Sequence, residues 1–398
     1  MRIPRLLVAS LLAATVVAAP APTSASDREE QAARIVDRAP DGQPLEVVVT
    51  RRAHDGTPVI STVAADTRSA ARRIVARALG QRDTVAAEMD TRVSIAAWND
   101  KYRSQQWALT ALKAESVYKI ATGGKTKKAK QVTVAVVDTG VKASHPDLTG
   151  NVLKGRDYIS PGTAANDTNG HGTHVAGVIA AKHHNKKGVA GLAPRAKILP
   201  VRVLGRTGTG DSSGVAKGIL WAVSKGAKVI NLSVESRSSS PAMEAAIAEA
   251  VRKNVLVVAA AGNGGCGGLL GGNRVTYPAA YPGVVGVGAV TRSLGRASFS
   301  SCGRHVDVAA PGADIISTVI KNSVGLGCSA SAEYCALSGT SMASPHVAAA
   351  GALAISRYGW SLAKVAARLE STARDLAPAG KDTATGAGFL DVQKLLTP

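Results

Sequence analysis

The chain is poor in aromatic residues, with two Phe, four Trp and seven Tyr among 398 residues. Proteins that hold single-stranded nucleic acid stack its bases on such rings, so this scarcity argues against a nucleic-acid partner despite a formal charge of +20. Beyond the first residues no apolar run reaches spanning length without a charge or a turn residue, so no membrane span is expected. Internal repeats and long low-complexity tracts are absent, which excludes a repeat architecture. Cysteine is limited to four residues, which allow three pairings. Acidic residues are also scarce, 28 against 48 basic ones, and the deficit is uneven. Residues 26–97 hold eleven of each sign, whereas residues 98–398 hold 35 basic and 17 acidic, a net +18. A basic body can concentrate on anionic cell walls or acidic substrates; solubility is the simpler reading. The lysines within 125–130 sit in a Gly-containing connection and read as a solvated loop.

What is present starts with an export signal. Arg2 and Arg5 precede an apolar stretch at 6–19, and Thr23-Ser24-Ala25 offers small residues for cleavage, most simply after Ala25. Residues 1–25 are therefore expected to be removed, leaving a secreted, extracellular product. Export makes disulfides the expected state of the cysteines. The favoured pairs are Cys328–Cys335, closing a short polar loop, and Cys266–Cys302.

Residues 26–97 read as a small α+β unit, with strands at 45–49 and 58–63 and a helix over 68–88. A unit of that size is marginal alone. From Asp138 the pattern changes. Short apolar runs at 132–137, 198–203, 229–233, 255–260 and 284–290 suit strands buried on both faces, and helices are predicted between them at 214–225 and 241–253. The alternation predicts a three-layer α/β fold with a mainly parallel central sheet flanked by helices. Sites in such folds lie beyond the carboxyl ends of strands, where Asp138 and Asn263 both fall.

Three segments carry a chemistry. Val136-Val137-Asp138-Thr139-Gly140 ends a strand on a carboxylate, His171-Gly172-Thr173-His174 places a histidine at a helix start, and Gly339-Thr340-Ser341-Met342-Ala343-Ser344-Pro345-His346 does the same for a serine. A serine hydroxyl needs a base to take its proton, neutral imidazole serves near pH 7, and a carboxylate holds the imidazole in the right tautomer. Ser341, His171 and Asp138 fill those roles, in one of the orders known for such triads. Ala261-Gly262-Asn263 adds an amide donor for the oxyanion of a tetrahedral intermediate, with the Ser341 N–H as the second donor. Gly339 is expected to permit close backbone approach, and Gly172 to let substrate near the histidine. His174 and His346 read as packed, structural histidines and Met342 as packing against the site. Pro345 is expected within the first helical turn, where a missing N–H costs little.

With these motifs the chain resembles the subtilisin-like serine proteases, the subtilases, from about residue 106 to 396. The resemblance implies an endopeptidase domain at 98–398, a monomer, acting on protein or peptide substrates, and an inhibitory propeptide at 26–97 that the enzyme cuts off itself within 93–99. It implies that Gly208, Thr209 and Gly210 pair with an extended substrate and that Ser233, Val234 and Glu235 form the opposite strand and a wall of the first specificity pocket. Ala261 and Gly262 continue the site, with Thr276 at the pocket base. Many members have glycine at the positions of Glu235 and Thr276, so the pocket is expected to be narrow and negative, selecting weakly against large aromatics and tolerating Lys or Arg; Glu235 turned to solvent is the alternative. No cofactor is needed for catalysis. Structural calcium is not supported by the usual loop, which here reads Lys182-His183-His184-Asn185-Lys186-Lys187-Gly188, although Gln106 and Asp147 match family ligands. His183-His184 alone is weak support for zinc, and no metal is assigned. Two other functions compete: a dedicated processing protease with few substrates, and a catalytically silent basic binding protein.

Overall fold

The structure is a computed structural model that describes residues 24–37, 45–89, 99–124, 129–267, 275–376 and 379–398. Nearly all of the expected signal, most of the expected cleavage window and residues 125–128 of the basic cluster lie outside them. The chain divides into two compact units, Met1–Ala97 and Trp98–Pro398.

In the first unit, helix α1 (Ala25–Asp37) precedes strands β1 (Leu45–Arg52) and β2 (Pro58–Ala65), helix α2 (Arg68–Leu79) and strand β3 (Thr84–Met89). The sheet order is β2-β1-β3, with both pairs antiparallel. Alternate residues Val47 and Val49 of β1 share a core with Ala32 and Val36 of α1, Ala71 and Val75 of α2, and Ala87 and Met89 of β3. Two features depart from expectation. The helix predicted over 68–88 stops at Leu79, capped by Gly80, and its second part is β3. Thr84 to Met89 mixes Ala, Glu and Met with two β-branched residues, and pairing with β1 overrides its local propensity. Helix α1, which buries Ala32 and Val36 one turn apart, is not among the expected elements.

The second unit opens with the short helices α3 (Trp107–Ala111) and α4 (Ala114–Ile120). It continues through β4 (Thr133–Asp138), β5 (Arg156–Asp157), α5 (His171–Ala180), β6 (Lys197–Arg202), α6 (Ser212–Ser224), β7 (Val229–Leu232), α7 (Pro241–Arg252), β8 (Leu256–Ala260), β9 (Val284–Val290) and β10 (Val308–Pro311). An antiparallel pair, β11 (Ile315–Thr318) and β12 (Tyr334–Leu337), precedes α8 (Thr340–Tyr358), α9 (Leu362–Ser371) and α10 (Val392–Leu395). The central sheet runs β10-β9-β8-β7-β4-β6-β5, and every pair is parallel.

Strand side chains alternate between two cores, as a sheet covered on both faces requires. Val134, Val136, Leu256 and Val258 face α5 and α8, whereas Ala135, Val137, Val257 and Ala259 face α6 and α7. Helix α8 is buried on every side from Met342 to Ala354, so it lies inside the domain rather than on it. Its small residues allow that depth: a Cβ on Gly351 would stand 2.4 Å from Leu256 Cδ2. The chain returns from β6 past β4 to β7, so strand order reverses at the carboxyl end of β4. That reversal opens the crevice in which sites of α/β folds form.

Candidate active site

Asp138 is the last residue of β4 and is fully buried. Its Oδ1 accepts the Thr139 N–H at 2.7 Å, and its two oxygens lie 2.8 and 3.0 Å from His171 Nδ1. A buried carboxylate so placed selects the tautomer with hydrogen on Nδ1 and leaves Nε2 as the acceptor. Burial works against a charged imidazole, but the charge and hydrogen bond of Asp138, helped by Asp167, outweigh it and raise the His171 pKa above its ordinary value.

Asp167 was not foreseen. It is buried, and its carboxylate accepts from Thr139 Oγ1, the N–H groups of Asn169, Gly170 and Thr173, and Thr173 Oγ1. It thus ties the turn after β4 to the start of α5 and fixes the spacing of Asp138 and His171. Burial raises its own pKa against those hydrogen bonds. An acidic residue just ahead of a helix start was the available signal.

Gly172 serves differently from expectation. A Cβ there would stand 2.2 Å from Gly140 O and 3.1 Å from Asp138 Oδ1. The glycine lets α5 dock on the end of β4; it does not make room for substrate. At Gly339 a Cβ would meet only ordinary contacts, the nearest 3.6 Å away at Asn263 Oδ1.

Ser341 is the second residue of α8, so its N–H has no partner within the helix. Its Oγ donates a long hydrogen bond, 3.3 Å, to the carbonyl of Ser233, and it lines the same cleft of about 490 Å³ as His171 and Asn263. Pro345 is the sixth residue of α8, past the first turn. It leaves the Ser341 carbonyl without the usual i+4 donor, and Ser233 Oγ donates to that carbonyl at 2.9 Å. Ser233 Oγ in turn belongs to a buried network with Asn231 Nδ2 and Ser344 Oγ. The Ser341 backbone is therefore held from the end of β7, a support invisible in the sequence. His174 and His346 are fully buried and bonded to backbone carbonyls, with pKa values pushed down by burial to about 3 and about 4; both are neutral packing groups. Met342 is buried in the same core.

Asn263 follows β8. Its Oδ1 accepts the Thr340 N–H at 2.8 Å, which assigns the amide orientation and leaves Nδ2 for the cleft beside Ser341. Asn263, His171 and Ser341 thus line one cleft beyond the carboxyl ends of β4, β7 and β8.

Residues 129–388 match the subtilase family. The chain belongs to the subtilase family. Subtilisin DY of Bacillus licheniformis is 42% identical over 267 residues, 67% of this chain and 91% of that protein. Thermitase of Thermoactinomyces vulgaris is 39% identical over 289 residues, 72% of this chain and 95% of that protein. Among solved structures, a protease from Pseudoalteromonas arctica PAMC 21717 is 33% identical with a TM-score of 0.65, covering 76% of this chain and 99% of that one. This subtilase is accordingly a subtilisin-like serine endopeptidase, and peptides are its substrates. No helix among the described residues is long and apolar enough to cross a membrane.

The residues expected to bind substrate divide into two groups. Gly208, Thr209, Gly210, Ser233, Val234 and Glu235 line the cleft. The segment 208–210 forms no strand by itself; Gly205 and Thr209 close a turn through a 2.8 Å backbone hydrogen bond. Ala261, Gly262 and Thr276 do not line the main cleft. Thr276 Oγ1 donates to the Ala261 carbonyl, and Thr276 lines a separate hollow of about 210 Å³. Glu235 separates the two spaces: its Oε2 accepts the Asn263 N–H at 2.8 Å. The carboxylate lies over Gly262 while the Glu235 side chain remains exposed to solvent.

The cysteines pair as Cys266–Cys302 and Cys328–Cys335, with Cα separations of 5.1 and 5.9 Å. The residues that match family calcium ligands are engaged otherwise. Asp147 accepts Asn185 Nδ2 on Oδ1 and the Val189 N–H on Oδ2, while the Gln106 amide exchanges two hydrogen bonds with the Ala190 backbone. Asp100 accepts the N–H groups of His184 and Asn185. These oxygens accept N–H donors, and Lys182, Lys186 and Lys187 flank them in the chain. His183 stacks on Tyr118, and His184 packs edge-on against His183.

Proposed function

We propose that the protein is a secreted serine endopeptidase made as a self-processing zymogen, with Asp138, His171 and Ser341 as its triad. The observation that carries this reading is the His171 Nδ1 contact with both oxygens of the buried Asp138, in a cleft that also presents Ser341. On substrate entry the Ser341 hydroxyl exchanges the Ser233 carbonyl for His171 Nε2. Oγ then attacks the peptide carbonyl as its proton passes to Nε2. Negative charge on the carbonyl oxygen falls between Asn263 Nδ2 and the Ser341 N–H. Nε2 returns the proton to the leaving amine, the C–N bond breaks, and an acyl ester remains on Oγ. Water repeats the sequence with His171 again as base and releases the acid. The substrate backbone completes a strand between 208–210 and 233–235, by the β-addition that unpaired edges favour.

Residues 1–25 direct export, 26–97 act as inhibitory propeptide, and 98–398 form the monomeric peptidase. Catalysis uses no cofactor, and hydrogen bonds in place of a metal hold the 182–188 loop. The test is the intact mass of the secreted protein beside its Ser341→Ala variant. The wild type is expected to lose residues up to about 97 and the variant to keep them. If both keep the segment, self-processing is wrong; if both lose it, another protease is responsible.

A further inference from the structure

The residue before the scissile bond, P1, must place its side chain next to the carbonyl held by Ser341 and Asn263. Among the described residues of the cleft, 233–235 and Asn263 flank Ser341, and Glu235 reaches across to Asn263. Its Oε2 is bound to the Asn263 N–H, and a Cβ on Gly262 would come within 2.8 Å of it. Gly262 has φ +101°, a conformation natural to glycine, and its bare Cα leaves the carboxylate room. Behind lie Thr276, whose methyl would stand 2.9 Å from that same Cβ, and the second hollow that Glu235 shares with Ser236, Arg237, Gly264 and Ser301. A P1 side chain entering from the cleft therefore meets an anion before it meets the pocket base.

A carboxylate offers about four acceptor positions, and the Asn263 N–H uses one. Oε1 is available to a cation without disturbing the bond that holds the oxyanion residue. A flat aromatic ring would have to displace the carboxylate and would leave the Asn263 N–H without its acceptor. An acidic side chain would meet like charge.

Resting on the protease reading above, we infer that Glu235 determines specificity: the subtilase cleaves after Lys or Arg in preference to large aromatic or acidic residues, with the cation paired to Glu235 Oε1. The interaction is charge-assisted, and such pairs discriminate by repulsion of the wrong partner as well as attraction of the right one.

The experiment measures kcat/KM on tetrapeptide p-nitroanilides that differ only at P1 (Lys, Phe, Ala, Glu), for wild type, Glu235→Gln and Glu235→Gly. Gln keeps the size and the acceptor for the Asn263 N–H but removes the charge. The wild type is expected to favour Lys over Phe by at least about tenfold, and Glu235→Gln to reduce that ratio by at least about tenfold. Glu235→Gly is expected to raise Phe turnover by clearing the space that the side chain crosses. Wild-type preference for Phe, or a ratio unchanged in Glu235→Gln, overturns the inference. Preference for Ala over Lys by tenfold also overturns it, since the carboxylate would then be a plug and not a receptor. Fluorophosphonate labelling of the same wild-type preparation separates the two levels. An unlabelled, inactive wild type defeats the protease reading and this inference together; a labelled enzyme with the wrong preference defeats only the inference.

Discussion

Replacing Asp100 by Ala tests whether hydrogen bonds, not calcium, hold the loop after the histidine helix. Asp100 is 5% exposed, and its two oxygens accept the N–H groups of His184 and Asn185 at 2.9 and 3.0 Å. A hydrogen bond to a charged group contributes about 1.5–3 kcal/mol, and a donor left buried without a partner costs a further share. The two bonds share one carboxylate and are not independent, so a total of about 3 kcal/mol is expected. Unfolding entropy of about 2.1 cal/mol/K per residue over a unit of about 300 residues gives roughly 0.6 kcal/mol/K. The variant should then melt about 5 °C lower. Calorimetry on the mature chains, inactivated with a fluorophosphonate, avoids autolysis and is run with and without EDTA. The chelator is expected to leave both melting temperatures within about a degree. A fall of 5 °C or more in EDTA for the Asp100-containing chain, reversed by Ca²⁺, would refute the reasoning, as would an unchanged melting temperature in Asp100→Ala.

Two further outcomes follow from the site. Asn263→Ala should lower kcat by roughly a hundred- to a thousandfold with little change in KM, the loss known for the oxyanion asparagine of subtilisin itself; steady-state kinetics on one anilide substrate would check it. His171 must be neutral to act as base, and Asp138 raises its pKa. The acid limb of kcat/KM should therefore lie above the ordinary imidazole value of about 6.5, with activity lost as pH falls through it. In Asp138→Asn the limb should move to lower pH while the rate drops roughly ten-thousandfold, and a limb that stays in place would count against the assigned pair.

The subtilase motifs and the parallel α/β plan were legible because each depends on local pattern. Apolar runs mark buried strands, and small residues with a polar group mark strand and helix ends. Propensity failed where pairing decided the outcome, as in β3, whose Ala and Glu content reads as helix until β1 supplies its hydrogen bonds. The support of the site was also beyond the sequence. Asp167 joins two elements across a buried turn, and Ser233 reaches from β7 to the carbonyl that Pro345 leaves free. Gly172 is required by the approach of Gly140 and Asp138, not by substrate. The direction of Glu235 is the sharpest case. Its identity as an unusual charge was plain from the chain, but its bond to the N–H of Asn263, 28 residues on, which anchors one oxygen of an otherwise exposed side chain, was not. Local sequence determines which groups stand at the ends of strands and helices; only the packing of distant segments determines which hydrogen-bond partners they find and which way they point.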